Sequence, residues 1–408
     1  MKKVYAISGK RTPIGAFCGS LKGISAGKLA SIAIEGALAS AKVSPSILDE
    51  VIIGNVISAG QGMGIARQAA IYAGIPKSVP AYGINMVCGS GMKAVMDGVA
   101  HIKNNDADIV IAGGVEVMSQ IPFILPSSIR SGHKQHKMGN LTLIDLLISD
   151  GLTDAYTKHH MGMTAETIAK EFSITRKQQD SYAMTSQFKA VDAIKKGKFL
   201  NEIETVNVSQ PRKSNVFFDT DEYPRKEVKL SELEKLAPAF QKEGTVTAGN
   251  SSGLNDGASA MVLASEESIE KYNLSPIAEI ISYAQSALEP EMMGLGPVNS
   301  IKKALNKAQL SISDINLYEL NEAFAVQTLA VIHKLADEYN VSVSSILDKT
   351  NVNGGAISLG HPLGASGNRI LVTLMHELNR NKKKSHFGIA ALCIGGGMGT
   401  AVIIKTVT

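Results

Sequence analysis

Asn85-Met86-Val87-Cys88-Gly89-Ser90-Gly91-Met92-Lys93-Ala94-Val95 sets a single cysteine at the mouth of a helix. From Met92 to about Lys103 the residues are helix formers, and Ala94, Val95, Gly98 and Val99 are spaced to face a core. Cys88 therefore falls just before the first turn, where unpaired N–H groups and the positive end of the dipole favour a thiolate. A cysteine so placed is expected to titrate below its usual value of about 8.5, and the thiolate is the nucleophilic form. Gly89 and Gly91 leave room for backbone to approach a bound group closely. The plain alternative is a structural core cysteine, because a free thiol packs as a small hydrophobe. Residues further along the chain decide against it.

The chain has 408 residues, 44% hydrophobic and 19% charged, which is ordinary for a globular protein larger than one typical domain. Its 38 glycines cluster at the ends of apolar runs, where tight turns are expected. A net charge of +4 is small, and the lysines are dispersed apart from short groupings such as Lys382-Lys383-Lys384. No aromatic interleaving accompanies them, so nucleic acid is not an expected partner. Three cysteines, Cys18, Cys88 and Cys393, form no disulfide framework and suit a reducing compartment. The first residues read as a strand over 4–8 rather than a signal peptide. The most apolar long region, 51–75, is broken by Asn55, Gln61, Arg67 and Gln68, which leaves it short of a membrane span. A soluble cytoplasmic protein is expected, with no membrane partner.

Residues 4–8 and 51–56 read as strands, 26–41 as an amphipathic helix, and Asp108-Ile109-Val110-Ile111-Ala112-Gly113-Gly114 as a strand buried on both faces. Alternation of this kind implies α/β layers. The pattern then repeats. Ala37-Leu38 through Val43, Ser44, Ile47, Asp49 and Val51-Ile52-Ile53-Gly54-Asn55 is echoed by Ala304-Leu305 through Leu310, Ser311, Ile312, Asp314 and Leu317-Tyr318-Glu319-Leu320-Asn321, with one gap. Residues 108–114 are likewise echoed by 386–392. The division expected is a first half of residues 1–119 and 245–275, an insertion of residues 120–244, and a second half of residues 276–408. A duplicated α/β unit commonly binds its ligand between the halves, beyond the strand ends. The insertion carries His133, Lys134, His136 and Lys137, a polar helical segment over 164–198, and the charged run Asp219-Thr220-Asp221-Glu222-Tyr223-Pro224-Arg225-Lys226. Most of that charge reads as solvated surface, although an insertion bordering such a site can form its lid.

Three further stretches carry chemistry: Asn321-Glu322-Ala323-Phe324-Ala325; Asn353-Gly354-Gly355-Ala356-Ile357-Ser358-Leu359-Gly360-His361-Pro362-Leu363-Gly364-Ala365-Ser366-Gly367; and Cys393-Ile394-Gly395-Gly396-Gly397-Met398-Gly399. Gly360 and Pro362 force a loop at His361, ahead of a helix expected near Ser366, and such a loop offers little packing reason for a histidine. Gly60-Gln61-Gly62-Met63-Gly64 and Gly395-Gly396-Gly397-Met398-Gly399 do not match the spacing of a dinucleotide loop. Cys88, Cys393 and His361 lack the paired spacings of common zinc sites.

Taken together, these stretches resemble the thiolase family, over essentially the whole chain from Arg11-Thr12-Pro13 to Met398-Gly399. The resemblance implies a five-layered α/β/α/β/α fold of two duplicated halves, with an inserted loop domain that binds CoA and makes contacts within a homotetramer. It implies Cys88 as the acyl-accepting nucleophile, His361 as its base, and Cys393 as general acid/base. Asn321 would hold a water that forms one oxyanion hole with His361, and the backbone N–H groups of Cys88 and Gly395 would form another. By the same carry-over Leu152, His160, Met161, Arg225, Ala248, Ser252, Ala323 and Phe324 line the CoA site. Pro224 beside Arg225 departs from the family's usual aliphatic residue, and the connection from Asn321 to His361 is longer than in bacterial relatives, with an excursion over 339–349. His160-Met161-Gly162 resembles the short-chain enzymes.

The expected activity is acetyl-CoA C-acetyltransferase, the reversible condensation of two acetyl-CoA to acetoacetyl-CoA and CoA through an acetyl-cysteine, with no cofactor and no metal. Thioester exchange needs a thiolate, a base and donors aimed at the developing oxyanion, and carbon–carbon bond formation needs a second base for the acetyl methyl. The alternatives are a longer-chain 3-ketoacyl-CoA thiolase and a non-catalytic CoA- or lipid-binding module of the same fold. A decarboxylating ketoacyl synthase is disfavoured by the glycine motif after Cys393.

Overall fold

The computed structural model describes residues 2–131, 140–209, 214–380 and 386–407. His133, Lys134, His136, Lys137 and the Lys382-Lys383-Lys384 group lie outside the described residues.

The first half runs β1 (Val4–Arg11), α1 (Ala26–Ala41), β2 (Glu50–Gly54), α2 (Ile65–Tyr72), β3 (Ala81–Ile84), α3 (Ser90–Asn104) and β4 (Ile109–Val117). Helices α4 (Met161–Glu171) and α5 (Arg176–Lys195) follow, and then β5 (Asn255–Ser265) closes the half. The second half runs β6 (Ala278–Ala287), α6 (Gly296–Ala308), β7 (Ile315–Leu320), α7 (Ala325–Glu338), α8 (Leu363–Leu378), β8 (Phe387–Ile394) and β9 (Met398–Thr406).

The strands lie in the order β3-β2-β4-β5-β1, then β6-β9-β8-β7. Within that order the duplication is explicit. In β2-β4-β5-β1 the first pair is parallel and the next two antiparallel, and β7-β8-β9-β6 repeats the same order and directions. The halves meet where β1 pairs β6 through only Tyr5–Glu279 and Ala6–Ala278.

Three apolar clusters, separated by the two half-sheets, account for the five layers. One packs α1 and α2 on the outside of the first half-sheet. A second encloses α3 and α8 between the half-sheets, and a third packs α6 and α7 on the outside of the second. Helix α8 is buried along nearly all of its length, as a helix with sheet on both sides must be. Each fully buried Leu or Ile there, such as Leu371 and Leu374, contributes about 1.5–3 kcal/mol. Close approach of α3 and α8 requires glycine: a Cβ on Gly91 would sit 2.7 Å from the carbonyl oxygen of Gly364.

Several boundaries differ from the sequence expectation. The polar segment 164–198 is two helices, because Ser173 takes a left-handed φ of 52° and Thr175 opens α5 with a capping box to Gln178. Helix α8 starts at Leu363 rather than near Ser366, since Pro362 presets the φ a helix entry needs. The excursion over 339–349 holds a short helix, Val343–Leu347, and returns at Thr350, which bridges Tyr318 in parallel. That single bridge stands where β3 stands in the first half.

Candidate active site

The chain from β3 into α3 makes a strained elbow. Val87 has a φ of 48°, which a β-branched residue rarely adopts. Three hydrogen bonds hold it there: Val87 N–H donates to Asn85 Oδ1 (2.9 Å), Met86 N–H to Ser90 Oγ (2.8 Å), and Ser90 Oγ to the Val87 carbonyl (2.6 Å). Cys88 stands on this elbow two residues before the first residue of α3. Its sulfur receives the backbone N–H groups of Gly395 and of Cys88 itself. Gly395 belongs to the turn between β8 and β9, where Gly396 and Gly397 take φ of 85° and 80°.

The expected lowering of the Cys88 thiol does not hold. Burial pushes it up to about 11, and the two backbone donors recover only part of that cost. The resting Cys88 sulfur is therefore a thiol. Cys393, at the end of β8, is fully buried, and burial followed by the nearby charge of Cys88 pushes its thiol well above the ordinary range.

His361 lies in the loop before α8, with its ring buried. Its backbone N–H donates to Asn255 Oδ1 at 3.0 Å, and Nδ1 lies 2.6 Å from Ser366 Oγ. Ser366 gives its single hydroxyl hydrogen to the Pro362 carbonyl (2.9 Å), so Nδ1 is the donor and Nε2 carries the lone pair. Burial, helped by the positive charge of Arg369, lowers the imidazole to about 3, which keeps it neutral. Nε2 faces Asn321 Nδ2 at 3.3 Å. Asn321 follows directly on β7, is buried, and its Oδ1 has no partner among the described residues.

Glu322 and Glu116 brace these loops. Glu322 accepts from Tyr182 Oη (3.0 Å), Ser186 Oγ (2.8 Å), Asn351 Nδ2 (2.8 Å) and the Ile357 N–H (3.1 Å), and so joins the Asn321 loop to the one leading to His361. Glu116 accepts from Asn55 Nδ2, the N–H groups of Val56 and Ile57, and that of Gly364 (2.9 Å). Burial pushes its carboxyl up to about 7.

A cavity of about 320 Å³ leads outward from His361 and is lined by Leu152, His160, Met161, Ala248, Ser252 and Phe324 among others. Cys88 and Leu152 pack on the same apolar cluster as Leu363, which also lines it. His160 caps α4 by accepting the Gly162 N–H at Nδ1 (3.0 Å) and stacks on Phe240 at 4.7 Å; burial lowers its pKa. Two expected residues do not line this cavity. Ala323 is buried beside Phe324 and accepts the Ser252 N–H at its carbonyl (3.0 Å), while Arg225 is exposed, with its backbone N–H on Gln187 Oε1 (2.9 Å). A larger cavity of about 590 Å³ lies beside α5 and α7 and reaches Glu322 but neither Cys88 nor Cys393.

The brace residues Asn85, Ser90, Ser366, Glu116 and Glu322 were not singled out from sequence. Ser366, five residues after His361 at the expected helix start, was the most findable of them. Among the described residues no group of His, Cys, Asp or Glu could hold a metal ion.

Residues 4–267 match the family described as "Thiolase, N-terminal domain" and residues 274–406 match "Thiolase, C-terminal domain". The chain is 49% identical over 405 residues to "Acetyl-CoA acetyltransferase" of Cupriavidus necator, covering 99% of this chain and 100% of that one. It is 47% identical to the protein of the same name from Syntrophomonas wolfei, with 99% of each covered. Human mitochondrial 3-ketoacyl-CoA thiolase in complex with CoA superposes with a TM-score of 0.92 at 42% identity, covering 100% of this chain and 98% of that chain. The Bacillus anthracis acetyl-CoA acetyltransferase gives 0.93 at 39%, covering 100% and 99%.

Proposed function

This chain belongs to the thiolase family, and from that premise we propose that it is an acetyl-CoA C-acetyltransferase that joins two acetyl-CoA into acetoacetyl-CoA and CoA, reversibly. The full-length relatives bearing that activity in their names support the reaction. The observation that supports the mechanism is the meeting of two cysteines from different halves, with the Gly395 N–H on the Cys88 sulfur, and a buried, neutral His361 that lines the adjoining cavity.

Cys88 attacks the thioester carbonyl as its proton passes to Nε2 of His361, and the sulfur becomes acetylated. The N–H groups of Cys88 and Gly395 stabilise one developing oxyanion. Protonated Nε2, with a water held by Asn321, stabilises the other; the unpartnered Oδ1 of Asn321 suits that water. Cys393 gives its proton to the departing CoA sulfur, and the resulting thiolate removes a methyl proton from the second acetyl-CoA. The enolate carbon attacks acetyl-Cys88, and the released Cys88 sulfur recovers its proton from His361. CoA occupies the cavity beyond His361, with Leu152, His160, Met161, Ala248, Ser252 and Phe324 along its walls and Ala323 behind them. Arg225 reaches the phosphorylated end from the surface. No cofactor or metal enters this scheme.

We assign the division made above, 1–119 with 245–275, 120–244 and 276–408, to two catalytic halves and a CoA-binding loop domain. The ribbon Phe123–Ile124 with Ile144–Asp145 exposes Phe123, Leu125, Leu141 and Leu143, an apolar surface that suits burial in a homotetramer. Among the described residues no helix is long and apolar enough to cross a membrane. The cytoplasm, with three unpaired thiols, is the proposed compartment, and fatty acid metabolism the proposed setting.

The similarity to human 3-ketoacyl-CoA thiolase supports a second reading, a longer-chain thiolase. Thiolysis rates for acetoacetyl-CoA and for six- to sixteen-carbon 3-ketoacyl-CoA, with free CoA, separate the two. The proposed activity requires the four-carbon substrate to be fastest.

A further inference from the structure

We infer that the buried pair Arg369–Glu319 positions the catalytic groups by fixing the register of β7 against α8, which holds Asn321 against His361. This rests on the acyl-transfer reading of the site and deepens it. Along β7, Leu317, Glu319 and Asn321 alternate with Tyr318 and Leu320. The latter two belong to the outer apolar cluster and Leu317 packs on the inner one, so Glu319 and Asn321 face the layer that contains α8.

On the other side, His361 precedes α8 and Arg369 lies within it. Helix α8 begins beside the end of β7 and runs back along the strand, as the crossover between parallel β7 and β8. Two cross-links therefore join one strand to one helix: Asn321 Nδ2 to His361 Nε2 at 3.3 Å, and Glu319 Oε2 to Arg369 Nη1 at 3.7 Å. Glu319 and Asn321 are two residues apart, about 7 Å along the strand. A slip of the strand large enough to separate Asn321 from His361 must also draw Glu319 away from the Arg369 guanidinium, whose charge opposes the burial that pushes the Glu319 carboxyl up to about 8.

Stability does not explain this pair. Arg369 is buried, yet among the described residues none of its three guanidinium nitrogens has a hydrogen-bond partner, and Glu319 Oε2 has none either. Arg11, equally buried, shows the contrast: it bonds Asp221 twice, at 2.7 and 2.9 Å, and Glu202 at 2.7 Å. A buried ion pair so poorly satisfied is commonly replaced by apolar residues at no loss of stability. What an apolar pair lacks is the attraction between guanidinium and carboxyl that singles out this one pairing. The guanidinium also places a positive charge behind His361, which favours the neutral base.

The test is the double variant Glu319→Leu/Arg369→Met, which keeps volume and removes both charges. The expected result is an unfolding midpoint at or above that of the wild type, KM for acetoacetyl-CoA within about twofold, and kcat and single-turnover acetylation of Cys88 each reduced about tenfold or more. Wild-type kcat in a folded double variant overturns the inference. Arg369→Lys covers the case in which the double variant does not fold. It keeps the charge at shorter reach, is expected to lose kcat at unchanged KM, and overturns the inference if its kcat is that of the wild type. Failure of the wild type itself to cleave acetoacetyl-CoA is a separate result and rejects the acyl-transfer reading.

Discussion

Ser366 accepts the Nδ1 proton of His361 at 2.6 Å while giving its own hydrogen to the Pro362 carbonyl, and this one hydroxyl decides which imidazole nitrogen is basic. Ser366→Ala leaves Nδ1 without that acceptor and lets the ring take the other tautomer. A kcat loss of about tenfold or more, near 1.4 kcal/mol in barrier, is expected at little change in KM. Unchanged kcat across the pH range would show that the tautomer is set elsewhere.

Cys88→Ala should abolish acyl transfer and leave the fold intact, because the sulfur is the proposed attachment point of the acetyl group. Incubating the wild type with acetyl-CoA should add one acetyl group, located by mass spectrometry on Cys88. Label on Cys393 or Cys18 reverses the assignment.

The raised Cys88 thiol makes a pH prediction. Only the thiolate is alkylated, so inactivation of the ligand-free enzyme by iodoacetamide should climb about tenfold per pH unit from 7 to 9. A plateau below pH 8 contradicts the burial argument. The same shift has a sign for stability. A thiol whose folded pKa lies above its unfolded one favours folding below the unfolded value, and that contribution is lost as pH rises from there toward about 11. Cys88→Ala should therefore flatten the alkaline limb of the stability curve.

Cys393→Ser keeps size and a hydroxyl but moves the proton-transfer group away from the operating range. Exchange of acetyl-CoA methyl protons into deuterated water should fall far more than single-turnover acetylation of Cys88. Intact exchange with lost acetylation would mean that Cys393 serves the thioester step.

His160 stacks on Phe240 in the wall of the cavity beside His361, and Phe240 meets Phe324 edge-on at 6.2 Å. His160→Ala should loosen that wall, raising the rate with a ten-carbon substrate relative to acetoacetyl-CoA. If the wild type already turns over both equally, the short-chain assignment fails.

The elements that were legible in the sequence are those whose pattern is local. The apolar run at β4 and the echo between the two halves are visible as strings, and glycine placement marks the turns at Cys88, His361 and Gly395. What was not legible depends on chain segments far apart. Glu116 reaches Gly364 across 248 positions, and Asn255 reaches the backbone of His361 across 106. The titration of Cys88 was misjudged for the same reason. The helix end is a local feature that favours a thiolate, whereas the burial that outweighs it comes from a cluster drawn from distant segments, including Ile57, Leu147 and Leu363. Arg225 was placed at the CoA site by the family resemblance, and its exposure follows from the path of the surrounding loop.

The repeat also leaves a trace in the fate of one position. Asn55 and Asn321 each stand directly after the equivalent strand of their half, β2 and β7. Asn55 gives its amide hydrogens to Glu116 Oε1 and the Val115 carbonyl, 3.1 and 3.2 Å away, and serves as internal scaffolding. The side-chain oxygen of each lacks a partner among the described residues, but the Asn321 amide nitrogen turns toward an imidazole instead. A two-copy architecture can thus assign upkeep to one copy and, in the proposed mechanism, chemistry to its twin. Exchanging these duties would demand a new carboxylate beside the second strand as well as a new histidine beside the first, so the asymmetry is locked by several residues at once.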